Sequence, residues 1–207
     1  KSNNYSLSIY SSNKPKKFLP IELQLGLGRM ELATKRIEES IVHTGNRNVN
    51  MIFGSTALIG KSISNGPFQI NPYGRIEAAH INLGEFSESG SHLSLTFKEQ
   101  EINRKLLSVG VDIGYEVPSN NWRLRPFGKI EYTHNFTEDS NVDMNYINDS
   151  QSYRLTIAPV SNSSWNTALG LELLEKNGLS ASLAYEREQT DSSFNSDSYQ
   201  FQVNWNF

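Results

Sequence analysis

Tyr199-Gln200-Phe201-Gln202-Val203-Asn204-Trp205-Asn206-Phe207 alternates without a break: each odd position is aromatic or β-branched and each even one is an amide. Side chains of a strand point to opposite faces in turn, so this segment has one apolar face and one amide face. An amphipathic helix would need apolar spacings of three and four instead. The segment is a strand.

The same alternation recurs upstream. Val109, Val111, Ile113, Tyr115 and Val117 oppose Gly110, Asp112, Gly114 and Glu116. Trp122, Leu124, Pro126, Gly128, Ile130 and Tyr132 oppose Arg123, Arg125, Phe127, Lys129, Glu131 and Thr133. Trp165, Thr167, Leu169, Leu171 and Leu173 oppose Asn166, Ala168, Gly170 and Glu172, while Leu179, Ala181, Leu183 and Tyr185 oppose Ser180, Ser182, Ala184, Glu186 and Glu188. Evenly spaced strands of this kind build a sandwich or a barrel. In a sandwich the polar face is the outer one and the large apolar face is the core. Here the polar faces combine charge with Gly, Ala and Ser, and the apolar faces end in Trp122, Tyr132, Trp165, Tyr185, Tyr199, Trp205 and Phe207. Small and charged residues in a wet lumen, with an apolar wall bounded by aromatic girdles, is the arrangement of an outer-membrane barrel. The expected fold is an all-β, antiparallel transmembrane β-barrel.

Composition agrees. The chain has 207 residues, the size of one domain, and its hydrophobic residues are 37% of the total. That is low for a soluble domain, which is ~45–50% apolar. A net charge of −3 gives no reason to expect a nucleic-acid partner. Lys14-Pro15-Lys16-Lys17 reads as a solvated basic turn. With no cysteine, a disulfide scaffold, a thiolate metal site and a thiol nucleophile are all excluded. No apolar run reaches the ~18 residues of a spanning helix, but a spanning strand needs only ~9–11 with every second one apolar. Lys1-Ser2-Asn3-Asn4 is not a signal peptide, so a processed product or an excised piece is expected.

Strands are expected near 4–12, 19–37, 48–63, 67–83, 104–117, 121–136, 163–175, 178–189 and 197–207. Asn65-Gly66, Pro118 to Asn121 and Lys176-Asn177-Gly178 are tight turns, whereas 84–103 and 137–162 are long polar connections. Short turns on one side and long loops on the other is the outer-membrane asymmetry. Around Gly28-Arg29-Met30-Glu31 and Ala79-His80 the apolar face swaps, through a bulge or because the strand has left the membrane. Residues 48–63 fit neither face well, and Leu32 to Ser40 is the best helical candidate. Bacterial single-chain barrels have even strand numbers. An odd count of nine therefore implies further strands outside this chain, or one strand miscounted.

Sites for chemistry are scarce. Gly54-Ser55-Thr56-Ala57-Leu58-Ile59-Gly60-Lys61-Ser62 has five residues between its glycines, one too many for a phosphate loop, and lacks a βαβ context. His43, His80, His92 and His134 show no metal-ligand spacing and read as surface or loop residues. His134 could serve a membrane hydrolase, but no serine stands out as its nucleophile. No cofactor, metal or catalytic residue is expected. The charges expected to face the lumen are Arg75, Glu77, Asp112, Glu116, Arg123, Arg125, Lys129, Glu131, Glu172, Glu186 and Glu188. Any polar lumen needs such groups for solvation; the functional alternative is a conduit that holds a plug or an extended polypeptide.

Tyr5-Ser6-Leu7-Ser8-Ile9-Tyr10, Pro72-Tyr73-Gly74-Arg75-Ile76-Glu77 with Phe86-Ser87-Glu88-Ser89-Gly90, and Arg125-Pro126-Phe127-Gly128-Lys129-Ile130-Glu131-Tyr132-Thr133-His134-Asn135-Phe136 resemble, in order and spacing, strands and a loop of autotransporter translocator domains. The resemblance to this type V secretion family runs from Tyr5 to Phe207. It implies a barrel of about twelve strands with a central helix and an N-terminal passenger. Residues 1–207 would then be the C-terminal part of the outer-membrane translocator domain, with passenger and helix outside the chain. It further implies export of the passenger across the outer membrane of a Gram-negative bacterium, without enzymatic activity. The implied partners are the passenger polypeptide, outer-membrane lipids and the barrel-assembly machinery. Tyr199, Phe201, Val203, Trp205 and Phe207 would be the terminal assembly signal. The alternative is a stand-alone outer-membrane pore or adhesin-type barrel.

Overall fold

A computed structural model of the chain describes residues 3–13, 19–38, 40–176, 178–192 and 194–205. In order the strands are β1 (Asn4–Asn13), β2 (Ile21–Glu38), β3 (Ile41–Ile59), β4 (Ile63–Asn65), β5 (Phe68–Leu83), β6 (Phe86–Ser87), β7 (Leu95–Phe97), β8 (Gln100–Tyr115), β9 (Val117–Pro118), β10 (Trp122–Asn135), β11 (Ser140–Tyr146), β12 (Tyr153–Ile157), β13 (Ser163–Glu175), β14 (Leu179–Thr190) and β15 (Asn195–Trp205). Nine of them, β1-β2-β3-β5-β8-β10-β13-β14-β15, form one curled antiparallel sheet, each bonded to the next long strand of the chain. Among the described residues β1 and β15 do not pair, and the sheet is open at both.

Why the strands sit in this register follows from their alternation. Tyr185 pairs with Tyr199, Trp165 with Tyr132, Tyr132 with Val109 and Leu27 with Ile52, so apolar residues meet apolar residues on one face throughout. A slip of one residue would send that set to the other face. The apolar face is convex and open: Leu169 is 68% exposed and Phe201 74%. Leaving so many large side chains uncovered is stable only where the surroundings are themselves apolar. Two aromatic girdles bound the band. Tyr132 and Trp165, 5.1 Å apart, and Tyr185 and Tyr199, 5.2 Å apart, mark one rim, and Trp122, Tyr115 and Trp205 mark the other.

Several expectations are corrected. Leu32 to Ser40 is no helix: β2 continues through Glu38, and Ser40 takes a positive φ of 69° in the turn that follows. The face swaps near Gly28–Glu31 and Ala79-His80 are not bulges, because β2–β3 and β3–β5 keep unbroken one-to-one pairing along their lengths. The strands leave the membrane there instead. β2 and β3 have 18 and 19 residues. At ~3.3 Å per residue that is roughly 60 Å, about twice the hydrocarbon thickness. Beyond the band the outward residues become polar (Arg29, Glu31, Asn50, Asn82) while the inward ones, Val49 and Leu83, enter a small core. The strand expected at 48–63 therefore begins at Ile41, ends at Ile59 and is followed by the separate β4.

Nor are the long connections irregular throughout. β12-β11-β7-β6 is a second, four-stranded antiparallel sheet built from both of them. It docks on the inward side of the extended β3 and β8, burying Val49, Leu106 and Val142. The turn at Asn65-Gly66 is tight as expected, and Gly66 supplies the φ of +60° that such a turn requires. The basic turn Lys14 to Lys17 lies outside the described residues.

Candidate conduit-lining face

Inward positions are the odd residues of β5 and β10 and the even residues of β8, β13 and β14, as the pairings dictate. Arg75, Glu77, Asp112, Arg123, Arg125, Lys129, Glu131, Glu172, Glu186 and Glu188 all fall on that concave face, opposite the aromatic one. Glu116 follows the end of β8 and lies 3.7 Å from Arg123.

Their centre is Glu131, only 3% exposed. The hydroxyl of Tyr73 donates to its carboxylate at 2.7 Å and the guanidinium of Arg75 at 2.9 Å, with Lys129 Nζ at 3.8 Å. Arg75 also approaches Glu77 at 3.6 Å, and Arg125 donates to Glu172 at 3.3 Å. A carboxylate this buried is stable only because several donors replace its lost water. None of the four cations pairs with Glu186 or Glu188; Glu186 instead accepts from the amide of Asn166. The Tyr73 ring reaches Glu131 by lying across Gly110, where a Cβ would come 2.5 Å from it. Tyr73, Arg75, Asp112, Lys129 and Glu131 line a cleft of roughly 340 Å³, with Glu22 on its far wall. A second, mainly polar cleft of roughly 190 Å³ lies between Arg75, Arg104 and Glu188, with Leu106 in its wall. Among the described residues no three His, Cys, Asp or Glu side chains converge as metal ligands.

Above the band a separate knot locks the cap to β2 and β3. Arg36 forks onto Glu88, with nitrogen–oxygen distances of 2.7 to 3.2 Å, and also bonds Glu38 and the carbonyl of Leu93. Glu88 accepts further from the Leu95 amide at 3.0 Å. Burial alone would raise the Glu88 carboxyl, but the Arg36 and Leu95 bonds outweigh it and hold it below the usual carboxylate range. Arg36 is correspondingly held above its usual value, chiefly by its bond to Glu88. His43 is buried, its Nδ1 lying 3.0 Å from Ser94 Oγ and 4.0 Å from Glu88. It is a cap core residue, not the surface histidine expected from its polar neighbours. Arg47 donates to the carbonyls of Leu83, Gly84 and Lys98 and lies over Phe86, which stacks on Phe97 at 4.9 Å. Of this knot only Glu88 carried a signal in the sequence, as part of Phe86 to Gly90. Arg36, His43, Arg47 and Ser94 are brought together across 36 to 57 residues, which no local pattern marks.

On β15, Tyr199, Phe201, Val203 and Trp205 are all exposed on the convex side. Phe207 lies outside the described residues.

The profile of the autotransporter beta-domain family matches residues 1–186. Among solved structures, the translocator domain of autotransporter NalP from Neisseria meningitidis superimposes with a TM-score of 0.69 at 13% identity, covering 100% of this chain and 67% of that one. At that identity the likeness establishes the fold. The ferric yersiniabactin uptake receptor FyuA from Yersinia pestis matches at a TM-score of 0.41 and 8% identity, over 100% of this chain and 40% of its own, too loosely to bear on the fold. No curated protein matches the chain in sequence.

Proposed function

The chain belongs to the autotransporter beta-domain family, and from that premise we propose that its concave charged face lines the conduit by which the passenger polypeptide leaves the cell. Translocator barrels of this family are transport devices of the Gram-negative outer membrane, and this chain is one. The observation that carries the conduit reading is the segregation of charge. Ten of the inward charges named above, on β5, β8, β10, β13 and β14, share one face of the sheet, while the other face is an apolar band between two girdles. Such a lining stays hydrated and offers an extended polypeptide hydrogen bonds that are readily exchanged with water.

The finer assignments are ours. Residues 1–207 act as the C-terminal part of the translocator domain, closing a barrel with strands that are not among these nine. Arg75, Glu77, Asp112, Glu116, Arg123, Arg125, Lys129, Glu131, Glu172, Glu186 and Glu188 face its lumen. Tyr199, Phe201, Val203, Trp205 and Phe207 form the signal for the barrel-assembly machinery, and the convex band meets outer-membrane lipids. The domain performs no catalytic step; folding of the passenger outside supplies the free energy. The test is protease accessibility of the passenger on intact cells making the full-length protein. Glu131→Lys, which opposes Arg75 and Lys129, should delay surface appearance several-fold, whereas Leu169→Ile on the convex face should not. Equal delay from both would count against a conduit on the concave side.

A further inference from the structure

The convex wall carries an amphipathic groove at its outer rim. Leu7 pairs with Leu27, Leu27 with Ile52 and Ile52 with His80, so four outward side chains form one row across β1, β2, β3 and β5. One step further from the membrane centre the same strands present Tyr5, Arg29, Asn50 and Asn82. A predominantly apolar groove of roughly 510 Å³ runs between the rows. Its floor is hydrocarbon and its upper lip is cationic and amide. We propose that this groove binds a phosphorylated glycolipid of the outer leaflet, with an acyl chain on Leu7, Leu27 and Ile52 and a phosphate against Arg29 and His80.

Charge decides the occupant. Arg36, Arg75, Arg123, Arg125 and Arg154 each hold a carboxylate, whereas Arg29 makes no ion pair among the described residues. His80 lines the same groove from β5, two strands away, and is held there with Nδ1 2.8 Å from Asn103 Oδ1. No carboxylate lines the groove. Of those on the same face, Glu31 stands one row further out, Glu101 lies three strands from Arg29, and Glu99 bonds Asn82. A guanidinium with free donors at the edge of a hydrocarbon layer is matched by a phosphate, which it grips through two parallel bonds. The strands continue past this row toward the cap sheet, so the lip faces the outer leaflet, where a cationic lip complements an anionic headgroup.

The test uses the full-length protein extracted from outer membranes and reconstituted in phosphatidylcholine nanodiscs doped with lipid A or with phosphatidylglycerol. Lipid retained per protein after a detergent wash is counted by mass spectrometry. Wild-type protein should retain lipid A, and Arg29→Gln combined with His80→Gln should lower that retention at least tenfold. Leu27→Asn, acting on the floor alone, should lower it comparably. Heat-shifted electrophoretic migration establishes that each variant is folded; should Leu27→Asn fail that check, the Arg29→Gln, His80→Gln variant decides. Unchanged retention in the variant, or phosphatidylglycerol held as firmly as lipid A, would overturn the assignment.

Discussion

Gly110 is where a backbone position of the concave face bears directly on its buried carboxylate. The Tyr73 ring covers it, and the Tyr73 hydroxyl is one of three groups that satisfy Glu131. Gly110→Val would push the ring aside and leave the carboxylate short of a donor, a loss of about 2–3 kcal/mol from overpacking and lost hydrogen bonding. Urea unfolding of the refolded protein in detergent measures it; an unchanged midpoint would mean that the ring moves freely. Glu88 offers a second prediction in the cap. Its folded-state pKa is depressed, so its contribution is complete above the ordinary carboxylate range and fades as pH falls through the lower folded value. The cap should therefore hold at neutral and mildly acidic pH and loosen only in strong acid. Glu88→Gln should loosen it at neutral and mildly acidic pH by about 2 kcal/mol, since Arg36 then lacks its buried partner, and should differ little from the wild type in strong acid, where Glu88 is itself protonated. Limited proteolysis within residues 84–99 and 136–162 reads both effects, and cleavage that is insensitive to pH and to the substitution would refute them.

At the scale of one strand, β15 is the plainest case. Its odd residues pair with outward residues of β14, Tyr185 with Tyr199 and Leu183 with Phe201, so both strands offer a single apolar surface. Cysteines at 201 and 203 should be quenched by a lipid-borne probe and those at 202 and 204 should not. Equal quenching of both sets would place this strand outside the wall. The terminal aromatic has another role in the proposed function: a recognition element for assembly is expected to add only ~1–2 kcal/mol to the folded barrel. Phe207→Ala should therefore reduce outer-membrane yield in cells while refolding in detergent stays nearly normal. Normal yield in cells would remove Phe207 from the assembly signal.

For the whole molecule the open edges matter most. Nine strands, each antiparallel to the next, leave β1 and β15 running in the same direction, and no ladder joins them among the described residues. An edge in hydrocarbon costs several kcal/mol for each unpaired backbone group. These nine strands refolded alone should therefore not give a heat-resistant barrel. Cysteine pairs set across the edges, at Ser8 and Gln200 for example, should fail to form a disulfide. Efficient oxidation of a series of such pairs, together with heat-resistant migration, would show that the sheet seals on itself.

Alternation along the chain was enough to determine the long strands, the two faces and the contents of each face. Period-two patterning is a local property, and lipid on one side with water on the other leaves it unblurred from Trp122 to Tyr132 and from Tyr199 to Trp205. That Arg75 or Glu131 points inward is legible from such a run. That Glu131 is the shared acceptor for Tyr73, Arg75 and Lys129 is not, because strands remote in sequence must first be paired. Outside the membrane the alternation loses its physical cause, since water surrounds the outer face and a cap covers the inner one. There Leu32 to Glu38 could be mistaken for a helix and the start of β3 could not be read. The cap sheet, the burial of His43 and the Arg36–Glu88 lock were decided by tertiary structure alone. Two polar connections far apart in sequence acquire a hydrophobic core only by folding together onto β3 and β8.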